Sequence, residues 1–174
     1  MPGPRYRDGE TVTLRTIEEE DAEFCQRLVN DPRVRTRLFQ NGPTNRAQEL
    51  EFIEAATEQG ANLLVCVDGE PVGTVGYNDV NDVWDTAEIG YMIAPAEWGN
   101  GYATDALATL TADAFAERGL HKLYAHAYAT NDASQRVLEK VGYTQEGLLR
   151  REAFADGEYV DVHRYGLLAD EFER

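Results

Sequence analysis

Residues 89–104 read Ile89-Gly90-Tyr91-Met92-Ile93-Ala94-Pro95-Ala96-Glu97-Trp98-Gly99-Asn100-Gly101-Tyr102-Ala103-Thr104. The spacing predicts a β segment over 86–94 stopped by Pro95, then a loop with two glycines, then a helix over 103–118 with Leu107, Leu110, Ala114 and Phe115 on its buried face. Gly99 and Gly101 remove side chains where a backbone must approach a ligand closely. The helix start behind them offers unpaired N–H groups and a positive dipole end, which bind phosphate without lysine. No Gly-Lys-Ser/Thr follows, so this is not a P-loop, and Thr104 occupies the third glycine position of a dinucleotide fingerprint. On these residues alone, a plain two-glycine turn stays open.

Working outward, 11–14 reads as a strand and 18–30 as a helix broken by Asp31-Pro32, with a short helical turn over 34–39. Thr44 suits the N-cap of a helix over 45–59, with Leu50, Ile53 and Ala56 on one face. Asp68-Gly69 between 63–67 and 71–77 predicts a β-hairpin. Beyond the long helix, 120–128 is a strand and 133–141 a short helix, with Asn131 as N-cap and Gly142 as stop. Strands over 144–154 and 159–168 flank Asp156-Gly157. The order β-α-α-β-β-β-α-β-α-β-β implies an α/β domain: a mixed sheet with helices on both faces.

The 174 residues fit one domain spanning 1–174. The longest purely apolar run, 63–67, cannot cross a membrane, and no apolar stretch behind Met1 serves as a secretion signal, so the expected compartment is the cytoplasm. Cys25 and Cys66 form no CxxC pair, and His121, His126 and His163 show no metal spacing, so no metal is expected. His126 and His163 read as packing or exposed groups on strands, and Tyr77, Tyr91, Tyr124 and Tyr128 as core residues that could also line a cleft. Thirty-two acidic residues against sixteen basic ones give a formal charge of −16, which disfavours nucleic acid and anionic membranes as partners. Two of the sixteen cations are lysines, Lys122 and Lys140. Acid excess with lysine depletion places a high-salt cytoplasm ahead of an ordinary acidic protein from a GC-rich genome.

A second segment, Asn131-Asp132-Ala133-Ser134-Gln135-Arg136-Val137-Leu138-Glu139-Lys140-Val141-Gly142-Tyr143, completes the pattern. Together with 98–107 it resembles the GNAT superfamily of acetyl-CoA-dependent N-acetyltransferases. Val12-Thr13-Leu14-Arg15, Asn30-Asp31-Pro32-Arg33-Val34-Arg35 and 147–154 resemble its ribosomal-protein N-acetyltransferase (RimJ/RimL-like) branch. The resemblance covers roughly residues 10–168 and implies the GNAT fold, a mostly antiparallel central sheet. It implies acetyl-CoA as cosubstrate and a diphosphate loop over Trp98, Gly99, Asn100, Gly101, Tyr102 and Ala103, with Thr104 just behind. Trp98 replaces the usual basic or amide first residue, which leaves the diphosphate to main-chain N–H groups. Met92 and Ile93 are expected to offer backbone bonds to pantetheine, with an N–H near Ile93 polarising the thioester carbonyl. Asn131 would bond the pantetheine arm. Many relatives carry a tyrosine acid in the helix after that asparagine; here the place is Leu138, and Ser134 is the candidate to protonate the leaving thiolate.

The implied reaction is direct attack of a primary amine, from a protein N-terminus or a small molecule, on acetyl-CoA. The amine is an ammonium at pH 7 and needs a base. Glu88 holds the place of a catalytic or water-relaying glutamate in many relatives, and Glu152 lies about one residue from another candidate position. A solvated sheet-edge carboxylate is the competing reading of both. A non-catalytic acyl-CoA-binding module with the same fold is the alternative function, and a nucleotide-binding domain a third. Sequence leaves the oligomeric state open, with a homodimer as the assembly common among soluble enzymes.

Overall fold

The structure, a computed structural model, describes residues 2–40 and 42–173, with side chains outside 56–59. The expectations for Met1 and for the Ala56 side chain lie outside the described residues. Eight strands form one sheet: β1 Arg5–Asp8, β2 Thr13–Thr16, β3 Ala61–Val67, β4 Glu70–Asn81, β5 Thr86–Ile93, β6 Lys122–Tyr128, β7 Thr144–Ala155 and β8 Glu158–Leu168. Their spatial order is β1-β2-β3-β4-β5-β6-β8-β7. The β5–β6 pair is parallel, and the other neighbouring pairs are antiparallel. This is the mixed, mostly antiparallel sheet expected. The helices are α1 Ala22–Asn30, α2 Pro32–Arg35, α3 Arg46–Gln59, α4 Tyr102–Ala116 and α5 Asp132–Val141.

Helices cover both faces, as β3 makes plain. Its run Leu63-Leu64-Val65-Cys66 is buried throughout, because successive side chains point to opposite faces and both faces are covered. Leu63 and Val65 join a core with Leu107, Leu110 and Ala114 of α4 and Leu138 and Val141 of α5. Leu64 and Cys66 join Ala22 and Cys25 of α1 and Ile53 of α3 on the other side. Burial pushes the Cys25 thiol up to about 12 and the Cys66 thiol up to about 11, so both behave as small apolar groups.

The opening that matters lies between β5 and β6. They pair through Thr86–Lys122, Ala87–Leu123 and Glu88–Tyr124, and the pairing ends there. Beyond it β5 stays in register with β4 as far as Ile93, while β6 stays in register with β8 as far as Tyr128. Each strand is held by its outer neighbour, so the sheet parts into two halves and a wedge opens below Glu88 and Tyr124.

Some element boundaries differ from the sequence reading. β1 was not expected; its four residues are all exposed and carry no apolar alternation. Asn45, not Thr44, caps α3, because Asn45 Oδ1 accepts from Gln48 N while Gln48 Oε1 accepts from Asn45 N. Thr44 is held instead by the Asn30 side chain. Asp31 starts α2 directly by accepting from Arg33 N, so the helical turn falls at 32–35 rather than 34–39.

Candidate active site

The wedge widens into a cleft of about 1070 Å³ that reaches both faces of the sheet. At one end lies the glycine loop. Gly99 and Gly101 have φ of 87° and 84°, in the left-handed region that side chains resist, and a Cβ at either would meet nothing within 4 Å. The loop is thus an open cradle, with α4 starting at Tyr102. Trp98 Nε1 donates to the Ile93 carbonyl at 2.7 Å, and the Arg37 guanidinium lies 4.5 Å over the indole ring. Trp98, Gly99, Gly101, Tyr102, Ala103 and Thr104 all line the cleft. The Asn100 side chain is turned back into the loop, its Nδ2 donating to the Glu97 carbonyl at 3.2 Å.

Strand geometry decides which main-chain groups face the wedge. Ala94 N donates to Val72 O at 2.8 Å, and antiparallel pairs alternate between bonded and non-bonded positions. In this register Met92 and Gly90 turn their N–H and C=O toward β4, while Ile93 and Tyr91 turn theirs toward the gap. The expected backbone contribution therefore suits Ile93 but not Met92, which contributes a lining side chain; Tyr91 joins Ile93 at this edge.

On the α4/α5 face, Asn131 Oδ1 accepts from Ser134 N at 3.2 Å, so Asn131 caps α5. Ser134 Oγ and the Tyr91 hydroxyl lie 2.9 Å apart, and either can donate. The same hydroxyl lies 3.1 Å from the Ser134 carbonyl, to which it can donate. Burial pushes the Tyr91 phenol up to about 12 against the lowering effect of its bond to Ser134. Tyr91 was legible as aromatic, but not as the partner of Ser134. Arg37 thus stands at the loop that the sequence left to dipoles alone, and Arg136 and Lys140 of α5 also line the cleft.

The opposite face is different in character. Ala87, Ile89 and Ile93 point into the α4/α5 core, so Glu88 points the other way, and His126 stands likewise between the core residues Ala125 and Ala127. Glu88 Oε1 lies 2.7 Å from His126 Nδ1, and both line the cleft. The Phe39 and Tyr124 rings meet the imidazole edge-on, with centroids at 6.3 and 5.8 Å. Asp79, held at φ 49° where the β4–β5 register shifts, and Glu49 of α3 complete this end. Glu49 is 6% exposed, and burial pushes its carboxyl above the usual carboxylate range. No cationic side chain lies within salt-bridge distance of it among the described residues.

The cleft thus brings Ser134 and Glu88 to opposite faces of one opening, whereas Glu152 is exposed on the edge strand β7 and lines no part of it. Among the described residues no group of three His, Cys, Asp or Glu could hold a metal, and no helix is long and apolar enough to cross a membrane. A ligand with an anionic diphosphate head and an amide-bearing arm fits the cradle and the gap: N–H groups and cations at the loop, unpaired strand edges below.

The same architecture recurs in known proteins. The family profile described as Acetyltransferase (GNAT) domain matches residues 11–144. The candidate ribosomal N-acetyltransferase YdaF of Bacillus subtilis is 31% identical over 94% of each chain. Spermidine N-acetyltransferase from Vibrio cholerae, solved with CoA and spermine, superposes with a TM-score of 0.87 at 26% identity, over 92% of this chain and 97% of that one. Mycobacterium smegmatis RimJ, solved in complex with CoA-disulfide, gives 0.84 at 26% identity, over 94% of this chain and 84% of the other.

Proposed function

Because this chain belongs to the GNAT family of acetyl-CoA-dependent N-acetyltransferases, in its RimJ/RimL-like branch, we propose that it acetylates a small amine carrying more than one positive charge. The observation that carries this is the acidic lining of the cleft, to which Glu49, Asp79 and Glu88 contribute together with Phe39 and Phe52. Glu49 in particular is a buried carboxylate without a cation among the described residues, and an ammonium bound there would recover part of its desolvation cost. The spermine held by the Vibrio cholerae relative supports the same class. A protein N-terminus is the second reading, and the ribosomal N-acetyltransferase name carried by YdaF supports a protein acceptor. We treat 1–174 as one acetyltransferase domain.

Acetyl-CoA supplies an activated thioester. The Gly99–Gly101 cradle, the start of α4, Arg136 and Lys140 hold the diphosphate end, and the gap-facing N–H groups of Tyr91 and Ile93 orient the arm and polarise the acyl carbonyl. Asn131 fixes the start of α5, and Ser134 protonates the departing thiolate from the α4/α5 face. The ammonium arrives from the opposite face and loses its proton at the Glu88 end. Attack and departure on opposite sides of one opening suit direct transfer, with no acyl-enzyme.

The test is CoA release from acetyl-CoA with spermidine and with peptides bearing free N-terminal serine or alanine. Spermidine should give the higher kcat/KM, and Glu49→Gln should raise its KM about tenfold, the scale of one charge-assisted contact, while leaving acetyl-CoA affinity alone. Faster turnover of the peptides would shift the reading to protein N-termini. Acetyl-CoA binding without turnover of any amine would leave a binding module.

A further inference from the structure

We propose that His126, not Glu88, takes the proton from the acceptor ammonium, with Glu88 as the residue that orients it. The inference rests on the acetyltransferase reading above. Glu88 Oε1 sits 2.7 Å from Nδ1, which places the ring proton on Nδ1 as donor and leaves the lone pair on Nε2. Nε2 has no protein hydrogen-bond partner among the described residues, and the ring lines the cleft with its side chain 20% exposed. Phe39 and Tyr124 clamp the ring edge-on, and Tyr124 is itself covered by the Arg164 guanidinium at 4.2 Å. Orienting carboxylate, fixed imidazole and open nitrogen form the arrangement that activates a base in unrelated enzymes.

Chemistry favours the imidazole over the carboxylate. A base works best when its own titration lies near the working pH; imidazole does so in isolation, whereas a free carboxylate is several units too acidic to strip an ammonium. The protons balance. One passes from the ammonium to Nε2, and the freed lone pair forms the C–N bond. The C–S pair leaves on sulfur, which takes a proton from Ser134. The second N–H proton lost by the new amide restores that hydroxyl through solvent, and His126 returns its proton to solvent.

Glu88 on β5 and Arg164 on β8, the register partner of His126, stand beside the ring with Tyr124 on β6, while Asp79 on β4 and Glu49 on α3 line the same cleft.

The experiment is the pH dependence of kcat at saturating acetyl-CoA and spermidine for wild type, His126→Gln and Glu88→Gln. His126→Gln should lower kcat at least about 10²-fold, erase the acidic limb of the profile and leave acetyl-CoA affinity unchanged. Glu88→Gln should lower kcat less and keep the limb, and added imidazole should restore part of the activity of His126→Ala. A limb that survives in His126→Gln and vanishes in Glu88→Gln makes Glu88 the base and overturns the proposal. Diethylpyrocarbonate labelling, read by mass spectrometry on the wild-type protein, needs no acceptor: His126 should be modified, and an unreactive His126 also overturns it. If wild type releases no CoA with spermidine or the peptides, the acceptor reading fails by itself, and the labelling still judges the dyad.

Discussion

Ser134 at the start of α5 and Tyr91 on β5 concentrate the leaving-group chemistry in two touching side chains. Ser134→Ala should lower kcat on the order of 10²-fold with acetyl-CoA affinity preserved, which single-turnover kinetics and calorimetry together would show. Tyr91→Phe removes the hydroxyl that holds Ser134 but not the proton donor itself, so kcat should fall only about three- to tenfold, the worth of one hydrogen bond. With its phenol pushed up to about 12, Tyr91 stays protonated through the working range. Any basic limb below pH 10 should therefore survive in Tyr91→Phe, and its disappearance would contradict this role. Gly101→Val places a side chain at φ 84°, a strain of about 1–3 kcal/mol, and fills the cradle. Gly69→Val supplies the control: its φ is 87°, it also meets nothing within 4 Å, and it lies in the β3–β4 hairpin, outside the residues that line the cleft. Both variants should lose similar stability in melts, but Gly101→Val alone should lose acetyl-CoA binding.

Element by element, α4 does more than offer its N-terminus to a ligand. Its Asp105 accepts from the main-chain N–H groups of Glu10, Thr11 and Val12 and from the Thr11 hydroxyl, pinning the β1–β2 turn. Its Asp113 accepts from the Tyr6 hydroxyl and Arg7 Nε, tying down β1. Burial works against the Asp105 carboxylate, but the donated bonds outweigh it and hold its pKa below the usual range. A depressed carboxyl stabilises the fold above its unfolded pKa, and that contribution is lost as pH falls through the folded value. Asp105→Ala should accordingly cost about 2–4 kcal/mol in urea melts at pH 7, the scale of several lost charge-assisted bonds, and much less near pH 2. These ties explain what the sequence could not disclose. The glycine loop and the Asn131 cap were legible because each signal lies within one loop and the helix turn behind it, whereas Ser134 was singled out only through the family resemblance. β1 was not legible, because its four exposed residues carry no apolar alternation and the side-chain ties that hold it to α4 span about a hundred residues. His126 was passed over for the same reason: Glu88 is 38 residues distant and reaches it through a parallel crossover. Local pattern also could not assign Glu152, since a strand's faces depend on register, and the β7–β8 register shifts between Leu149 and Ala153.

For the molecule as a whole, charge and cleft pull in opposite directions. The chain carries a formal charge of −16, and six of its sixteen Arg and Lys side chains are engaged in ion pairs with carboxylates among the described residues. Most acidic groups therefore repel one another across the surface, and they also repel an incoming polyanion such as acetyl-CoA. The cleft counters this locally with Arg37, Arg136, Lys140 and the α4 N-terminus along its lining. Salt separates the two effects, because long-range repulsion is screened at a Debye length of about 10 Å in 0.1 M salt and about 3 Å at 1 M, whereas contacts at hydrogen-bond distance are screened far less. Added KCl from 0.1 to 3 M should therefore raise Tm and lower the KM for acetyl-CoA, the reverse of a basic phosphate-binding protein. The acceptor side should respond oppositely. A cationic amine is drawn to the carboxylates around Glu49 and Glu88 and to the field of the whole molecule, so the KM for spermidine should rise over the same range. Steady-state kinetics with each substrate varied in turn, alongside melting curves, measures all three quantities. A Tm that falls steadily with KCl would make the acid excess an incidental solvated surface, and a KM for acetyl-CoA that rises would mean that the three cleft cations, not the net charge, govern cosubstrate capture.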